Sequence, residues 1–200
     1  EGDKEWLVKG VLPIIAVKEM AMSGRHNVAN ALAAMALGQA VGLPMKAMID
    51  TLMRFTGLPH RCEPVANIGG VDYINDSKGT NVGATVAALE GLGPDVAGKI
   101  ILIAGGVGKG ADFSDLVGPL SRYGKHTLLV GEDAQHIAQA LADKVTFSHA
   151  IGMQEALTMA HGLAVSGDLV LLSPACASFD AYTGFEARGD HFAELVRTLV

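Results

Sequence analysis

Apolar and polar positions divide the chain into two stretches with different rhythms. In the first, Trp6–Lys9 and Val11–Val17 read as two short strands around Gly10, a hairpin with one end exposed. Ser23-Gly24-Arg25-His26-Asn27 supplies cap-type residues, and an Ala-, Leu- and Met-rich helix is expected from Val28 to Ala40. Gly42-Leu43-Pro44 breaks it. Met45–Phe55 has the spacing of a second, amphipathic helix, with Thr56-Gly57-Leu58-Pro59 as its stop.

After Pro59 the rhythm changes. Arg61–Ile68 and Val71–Asn75 are strand-like and joined by Gly69-Gly70, a hairpin signal. Strands are then expected at Lys99–Ala104, Thr127–Val130, Val145–Ser148 and Asp168–Ser173. Helices are expected at Val82–Leu89, Phe113–Ser121, Ala134–Leu141, Gln154–Ala164 and His191–Leu199. Runs such as Ile-Ile-Leu-Ile-Ala do not alternate, as befits strands buried on both faces of a parallel sheet. The class predicted is α/β, a doubly wound, mostly parallel sheet with flanking helices. The boundary falls at residues 57 and 58. The segment before it is too small for a convincing domain and reads as the tail of a larger one.

Composition narrows this picture. Half of the 200 residues are hydrophobic and 18% are charged, so a sizeable core is available. The formal net charge is −6 and no Lys/Arg block is present. Nucleic-acid binding is disfavoured, because neutralising phosphates takes a clustered basic surface. Cys62 and Cys176 are far apart and match no metal-ligand spacing, as expected of a reducing compartment. Val11–Val17 is too short to span a bilayer and contains Pro13. Residues 1–5 are mostly charged and do not resemble a signal peptide. A cytoplasmic protein without membrane insertion is expected. The chain opens on Glu1 rather than Met and is read as a piece of something longer.

Open α/β sheets bind ligands at the carboxyl ends of their strands, and four such ends stand out. Asn75–Asn81 reads N-D-S-K-G-T-N. If it is extended, Asp76, Lys78 and Thr80 point one way. Lysine beside a hydroxyl suits an anion. Asp76 would bind a ribose hydroxyl or orient the lysine, and a plain helix cap is the rival for each residue. Gly105-Gly106-Val107-Gly108-Lys109-Gly110 exposes backbone N–H groups and a lysine but matches neither the P-loop nor the dinucleotide fingerprint. In Ser173–Asp180, small residues allow close approach. Ser178 is a cap or a carboxylate donor, and a nucleophilic role for Cys176 is not favoured. Gly131-Glu132-Asp133 reads as a helix start and receives no functional weight. Asn27 and Asn30 share a helix face: capping accounts for Asn27, while Asn30 invites a ligand contact. Arg61 can reach a phosphate from the boundary. His126, His136, His149 and His161 show no ligand spacing.

In order, these motifs resemble one family. Gly24-Arg25-His26-Asn27-Val28-Ala29-Asn30-Ala31, Gly57-Leu58-Pro59-His60-Arg61 and Asn75-Asp76-Ser77-Lys78-Gly79-Thr80-Asn81 are similar to the ATP-dependent Mur ligases. The Gly105–Phe113 and Leu172–Ser178 segments point to the branch that adds D-glutamate. Gly79 stands where Ala is more usual, and Phe179 where Leu is common.

The resemblance implies that residues 58–200 are a C-terminal Rossmann-like ligase domain and residues 1–57 the end of a central ATPase domain. It implies amide formation between D-glutamate and UDP-N-acetylmuramoyl-L-alanine through an acyl phosphate, with ATP and Mg²⁺ held mainly outside this segment. Asn27, Asn30, Arg61 and Asp76 would then contact the nucleotide. Lys78 and Thr80 would line the meeting point of the substrates. Lys109, Ser178, Phe179 and Phe185 would hold D-glutamate. Lacking a P-loop, the chain is expected to be inactive alone and to act as a monomer. The alternatives are another Mur-type or folylpolyglutamate-type amide ligase, or a non-catalytic Rossmann-like binding module.

Overall fold

A computed structural model of the chain describes residues 5–22 and 24–199. Ser23, among the cap-type residues above, lies outside them. The chain divides into two compact units, Glu1–Gly57 and Leu58–Val200.

In the first unit, β1 (Trp6–Lys9) and β2 (Leu12–Ala16) form the antiparallel hairpin, turning at Gly10 with φ 60°. Two helices follow, α1 (Arg25–Ala40) and α2 (Met45–Leu52). Leu7, Ile15, Met20, Ala31, Met35 and Leu52 make one small core. Helix α1 starts three residues before its expected Val28. Gly24 is its N-cap, without a side-chain bond, and Asn27 falls in its first turn. Asn27 is therefore not the cap. Helix α2 ends three residues short of Phe55, well before the Gly57-Leu58-Pro59 signal. Asp50 O accepts the Arg54 side-chain Nε at 2.9 Å, and the Arg54 N–H turns to Thr51 O instead.

The second unit is built on β3 (Glu63–Ile68), β4 (Val71–Asn75), β5 (Ile100–Gly105), β6 (Gly124–Val130), β7 (Phe147–His149) and β8 (Leu169–Leu172). Their order in the sheet is β3-β4-β8-β5-β6-β7. β3 and β4 pair antiparallel through Gly69 and Gly70, whose φ values of 61° and 81° suit a tight hairpin turn. The remaining pairings are parallel. Between strands run α3 (Val82–Leu92), α4 (Val117–Tyr123), α5 (Ala134–Leu141) and α6 (Met153–Leu163), and α7 (Phe185–Arg197) follows β8.

Strand alternation sorts the side chains into two cores. Ile100, Leu102 and Ala104 pack with Leu89, Leu120 and Ile137 of α3, α4 and α5. Ile101 and Ile103 pack with Leu157 of α6 and Phe192 of α7. The sheet is doubly wound, as expected. Each buried Leu or Ile contributes about 1.5–3 kcal/mol.

Two helices of this unit begin well away from their expected starts. A 3-10 turn at Ser114–Leu116 precedes α4, in place of a single helix from Phe113. Helix α7 begins six residues before His191. Gly189 disguises that first turn, because an interior glycine weakens the helical signal. It is required by packing: a Cβ there would sit 2.3 Å from His60 Nδ1. No described helix is long and apolar enough to cross a membrane.

Candidate active site

Because β4, β8 and β5 are adjacent and parallel, their carboxyl ends lie side by side. Helix α3 leaves β4 and α4 leaves β5 on one face of the sheet, while α7 leaves β8 on the other. This reversal opens a crevice at the ends of those strands.

After β4 the chain turns at once. Gly79 N–H donates to Asp76 O and Thr80 N–H to Lys78 O, both at 2.8 Å. The segment is not extended, so Asp76, Lys78 and Thr80 do not share one face. Asp76 is buried, accepting from Cys62 N–H at 3.2 Å and Ser173 Oγ–H at 2.7 Å. Burial pushes its carboxyl pKa up, against those bonds. It does not orient Lys78. The Lys78 ammonium lies 3.9 Å from the centroid of the Phe185 ring. Among the described residues no carboxylate pairs with it. Thr80 is half-buried, and Asn81 caps α3 by accepting from Ala84 N–H at 2.9 Å.

At the end of β5, Gly105 and the following Gly106 have φ 131° and 124°. A Cβ would lie 1.8 Å from Val130 O at the first and 2.1 Å from Ala177 O at the second. These glycines let the loop press on the end of β6 and on the segment that follows β8. Val107 and Ala177 exchange backbone bonds at 2.9 Å, and Gly108 N–H donates to Asp133 at 2.6 Å. Asp133, left without weight in the sequence, anchors this loop. That N–H bond and then His136 hold its carboxyl below the usual range. Lys109 stands exposed at φ 56°, without an ion pair among the described residues.

After β8, residues 173–178 are buried and Ala175 adopts φ 58°. Burial pushes the Cys176 thiol up to about 12, so it is no thiolate at neutral pH. Ser178 is 2% exposed, and no protein hydrogen bond engages its hydroxyl among the described residues. Phe179 is 72% exposed, and Phe185 opens α7.

The structure thus seats Lys78 against Phe185, and backbone pairing brings the Lys109 loop to the segment carrying Ser178. Arg61 is exposed on the turn before β3, and its charge pulls Asp76 slightly down. Asn27, half-buried, and Asn30, exposed, lie on α1 of the first unit.

Beneath Lys78 is a polar cluster that sequence reasoning missed. Lys78 N–H donates to His60 O at 3.0 Å. Asn75 Oδ1 accepts Ser77 N–H, so its Nδ2 is the donor facing Gly189 O at 3.2 Å and His60 Nδ1 at 3.0 Å. His60 therefore carries its ring hydrogen on Nε2, toward Asp190 at 3.8 Å. Its ring packs edge-on to Phe185. Arg188 donates from Nε to Ser77 Oγ at 3.0 Å and from Nη2 to Ser77 O at 2.9 Å. Nη1 and Nη2 both donate to Cys176 O at 3.1 Å. A signal existed: Arg188, Phe192 and Val196 are four apart, one buried stripe once the helix is extended back.

A sequence profile described as "Mur ligase, glutamate ligase domain" matches residues 60–176. The chain belongs to the Mur ligase family. It is 54% identical to the UDP-N-acetylmuramoylalanine--D-glutamate ligase of Nitrosococcus oceani, across 98% of this chain and 43% of that protein. It is 50% identical to the ligase of the same name from Acinetobacter baylyi, across 98% and 44%. The chain therefore spans less than half the length of these relatives.

Solved structures share the fold. The MurF ligase of Thermotoga maritima in complex with ADP superposes with TM-score 0.63 at 14% identity, covering 88% of this chain and 40% of that one. A Mycobacterium tuberculosis folylpolyglutamate synthase complexed with ADP and AMPPCP gives 0.64 at 16%, covering 89% and 40%.

Proposed function

We propose that the chain is the C-terminal part of a UDP-N-acetylmuramoylalanine--D-glutamate ligase, acting in peptidoglycan synthesis in the bacterial cytoplasm. Residues 58–200 are then its ligase domain and residues 1–57 the end of its ATPase domain. One observation carries the reading: two lysines and the Ser178 hydroxyl, without carboxylate or hydrogen-bond partners among the described residues, stand on the loops after three adjacent parallel strands.

In the full enzyme, the carboxylate of UDP-N-acetylmuramoyl-L-alanine takes the γ-phosphoryl group of ATP, giving an acyl phosphate and ADP. The D-glutamate amine attacks the carbonyl carbon. The tetrahedral oxyanion then expels phosphate and leaves an amide. Anions crowd together at each stage, so placed cations matter more than a nucleophile. Lys78, braced on Phe185, supplies charge where the substrates meet, with Thr80 beside it. Lys109 and Ser178 hold the carboxylates of D-glutamate, and Phe179 and Phe185 flank its chain. Arg61, Asn27 and Asn30 act on the nucleotide side. The bonds of Asp76 to Cys62 and Ser173 give it a positional part there, fixing the turn that carries Arg61.

Among the described residues no group of three His, Cys, Asp or Glu side chains could hold a metal ion. Mg²⁺ would be held mainly by parts of the ligase outside this segment.

Phosphate release by a full-length ligase carrying this segment tests the reading. D-Glutamate should support turnover, whereas L-lysine and diaminopimelate should not. Lys78→Ala and Lys109→Ala should each lower kcat/KM on the order of a hundredfold. Full activity in both variants would overturn the reading, and turnover by the isolated chain would refute its inactivity.

A further inference from the structure

Arg188 is a buried charge that the proposed reaction leaves unused. It is 3% exposed, and among the described residues no carboxylate lies within ion-pair distance of it. All its hydrogen bonds end on neutral oxygens of Ser77 and Cys176. Burying an unpaired cation is costly, and an apolar residue of similar volume would fill the same space without that cost. Desolvation lowers its pKa to about 10, which leaves it charged at neutral pH.

What the guanidinium supplies is geometry. Ser77 O and Cys176 O lie just beyond their strands, and the buried fork provides the donors they need. Ser77 immediately precedes Lys78, and Cys176 lies two residues before Ser178. Arg188 itself sits three residues after Phe185, the ring beneath the Lys78 ammonium. Ser77 Oγ closes the cluster by donating to Phe185 O at 2.8 Å. One side chain thereby joins the loop after β4, the loop after β8 and the first turn of α7. A planar fork fixes several acceptors at once, which a lysine ammonium cannot do.

We propose that Arg188 is a positioning residue that holds Lys78 and Ser178 at a fixed separation, as two walls of the subsite for the acceptor amino acid. This rests on the ligase reading above. The test is steady-state kinetics of Arg188→Lys in the full-length ligase, a change that keeps the charge and removes the fork. The KM for D-glutamate should rise on the order of tenfold, with the KM for ATP within about twofold of wild type. Ser77→Ala removes the Nε acceptor and the hydroxyl bond to Phe185 O, leaves the bonds to Ser77 O and Cys176 O, and should raise the D-glutamate KM about threefold. A folded Arg188→Lys enzyme with both KM values unchanged overturns the proposal. An equal rise in both, the mark of general loosening, overturns it too. If Arg188→Lys does not fold, an unchanged D-glutamate KM in Ser77→Ala is the overturning result. If wild type accepts a different amino acid, the D-glutamate reading fails, and the same split is read on that amino acid's KM.

Discussion

Strand β5 and helix α1 are both rich in apolar residues, yet their surroundings differ. Every residue of β5 is buried, with Ile100, Leu102 and Ala104 entering one core and Ile101 and Ile103 the other. Helix α1 leaves Leu32 and Leu37 46% and 70% exposed, and Val41 just after it 76%. An apolar cavity of about 250 Å³, lined by Met35, Leu43, Met48 and Leu52, opens beside it. Exposed apolar side chains grouped along one helix are usually covered in a larger body. The contrast separates a unit whose layers complete its own core from one whose apolar surface exceeds its core. It supports reading residues 1–57 as part of a larger domain.

The most severe test cuts the chain at the boundary. Residues 58–200 alone should unfold in urea in one cooperative transition, and residues 1–57 alone should show none by circular dichroism. A cooperative transition in the short piece would break the comparison.

Single core substitutions sharpen it. Ile103→Ala should cost about 2–5 kcal/mol in urea denaturation. Leu37→Ala, at an exposed site, should stay within about 0.5 kcal/mol.

A smaller effect is expected at the amino end of β8. Asp168 is buried there, accepting from Lys125 Nζ at 2.6 Å and from the N–H groups of Lys99 and Val165. Burial raises its pKa, but Lys125 and the two N–H groups outweigh this, and the net shift is downward. With the folded pKa below the unfolded one, its stabilisation is present above about pH 4 and lost as pH falls through the folded value. Asp168→Asn should cost about 1–3 kcal/mol at pH 7, less at pH 3, by urea midpoint. Asp76 shifts upward and works in the opposite sense. Its contribution is full below its unfolded pKa and declines as pH rises through the folded one.

The smallest stability effect belongs to Lys109. It is exposed and lacks an ion pair among the described residues, so Lys109→Ala should change the urea midpoint of residues 58–200 by less than about 0.5 kcal/mol equivalent. The same change should impair phosphate release in the full-length enzyme. A large loss of stability would make Lys109 part of the fold rather than of the site.

Much of the second unit was readable from its residues. Apolar runs such as Ile100–Ala104 and the Gly69-Gly70 turn are local signals, and the α/β class followed from their alternation. Helix α7 was half-hidden, because Gly189 is there for the sake of His60, a neighbour remote in sequence. The site was readable as residue types at strand ends, and its geometry was not. Asn75–Asn81 offered an extended reading, and only the pull of Cys62 and Ser173 on Asp76 shows why it turns.

The sequence by itself determined the period of each element, the hairpin turns and the polar or glycine-rich character of the strand ends. Those properties depend on residues within a few positions of one another. Tertiary structure alone decided that Asp133 anchors the glycine loop 25 positions away, and that Arg188 reaches Ser77 across 111 positions of chain while also holding Cys176. Such partners are chosen by strand order. A buried donor takes whichever oxygen the neighbouring strand ends present, and no local pattern records which strands will be neighbours.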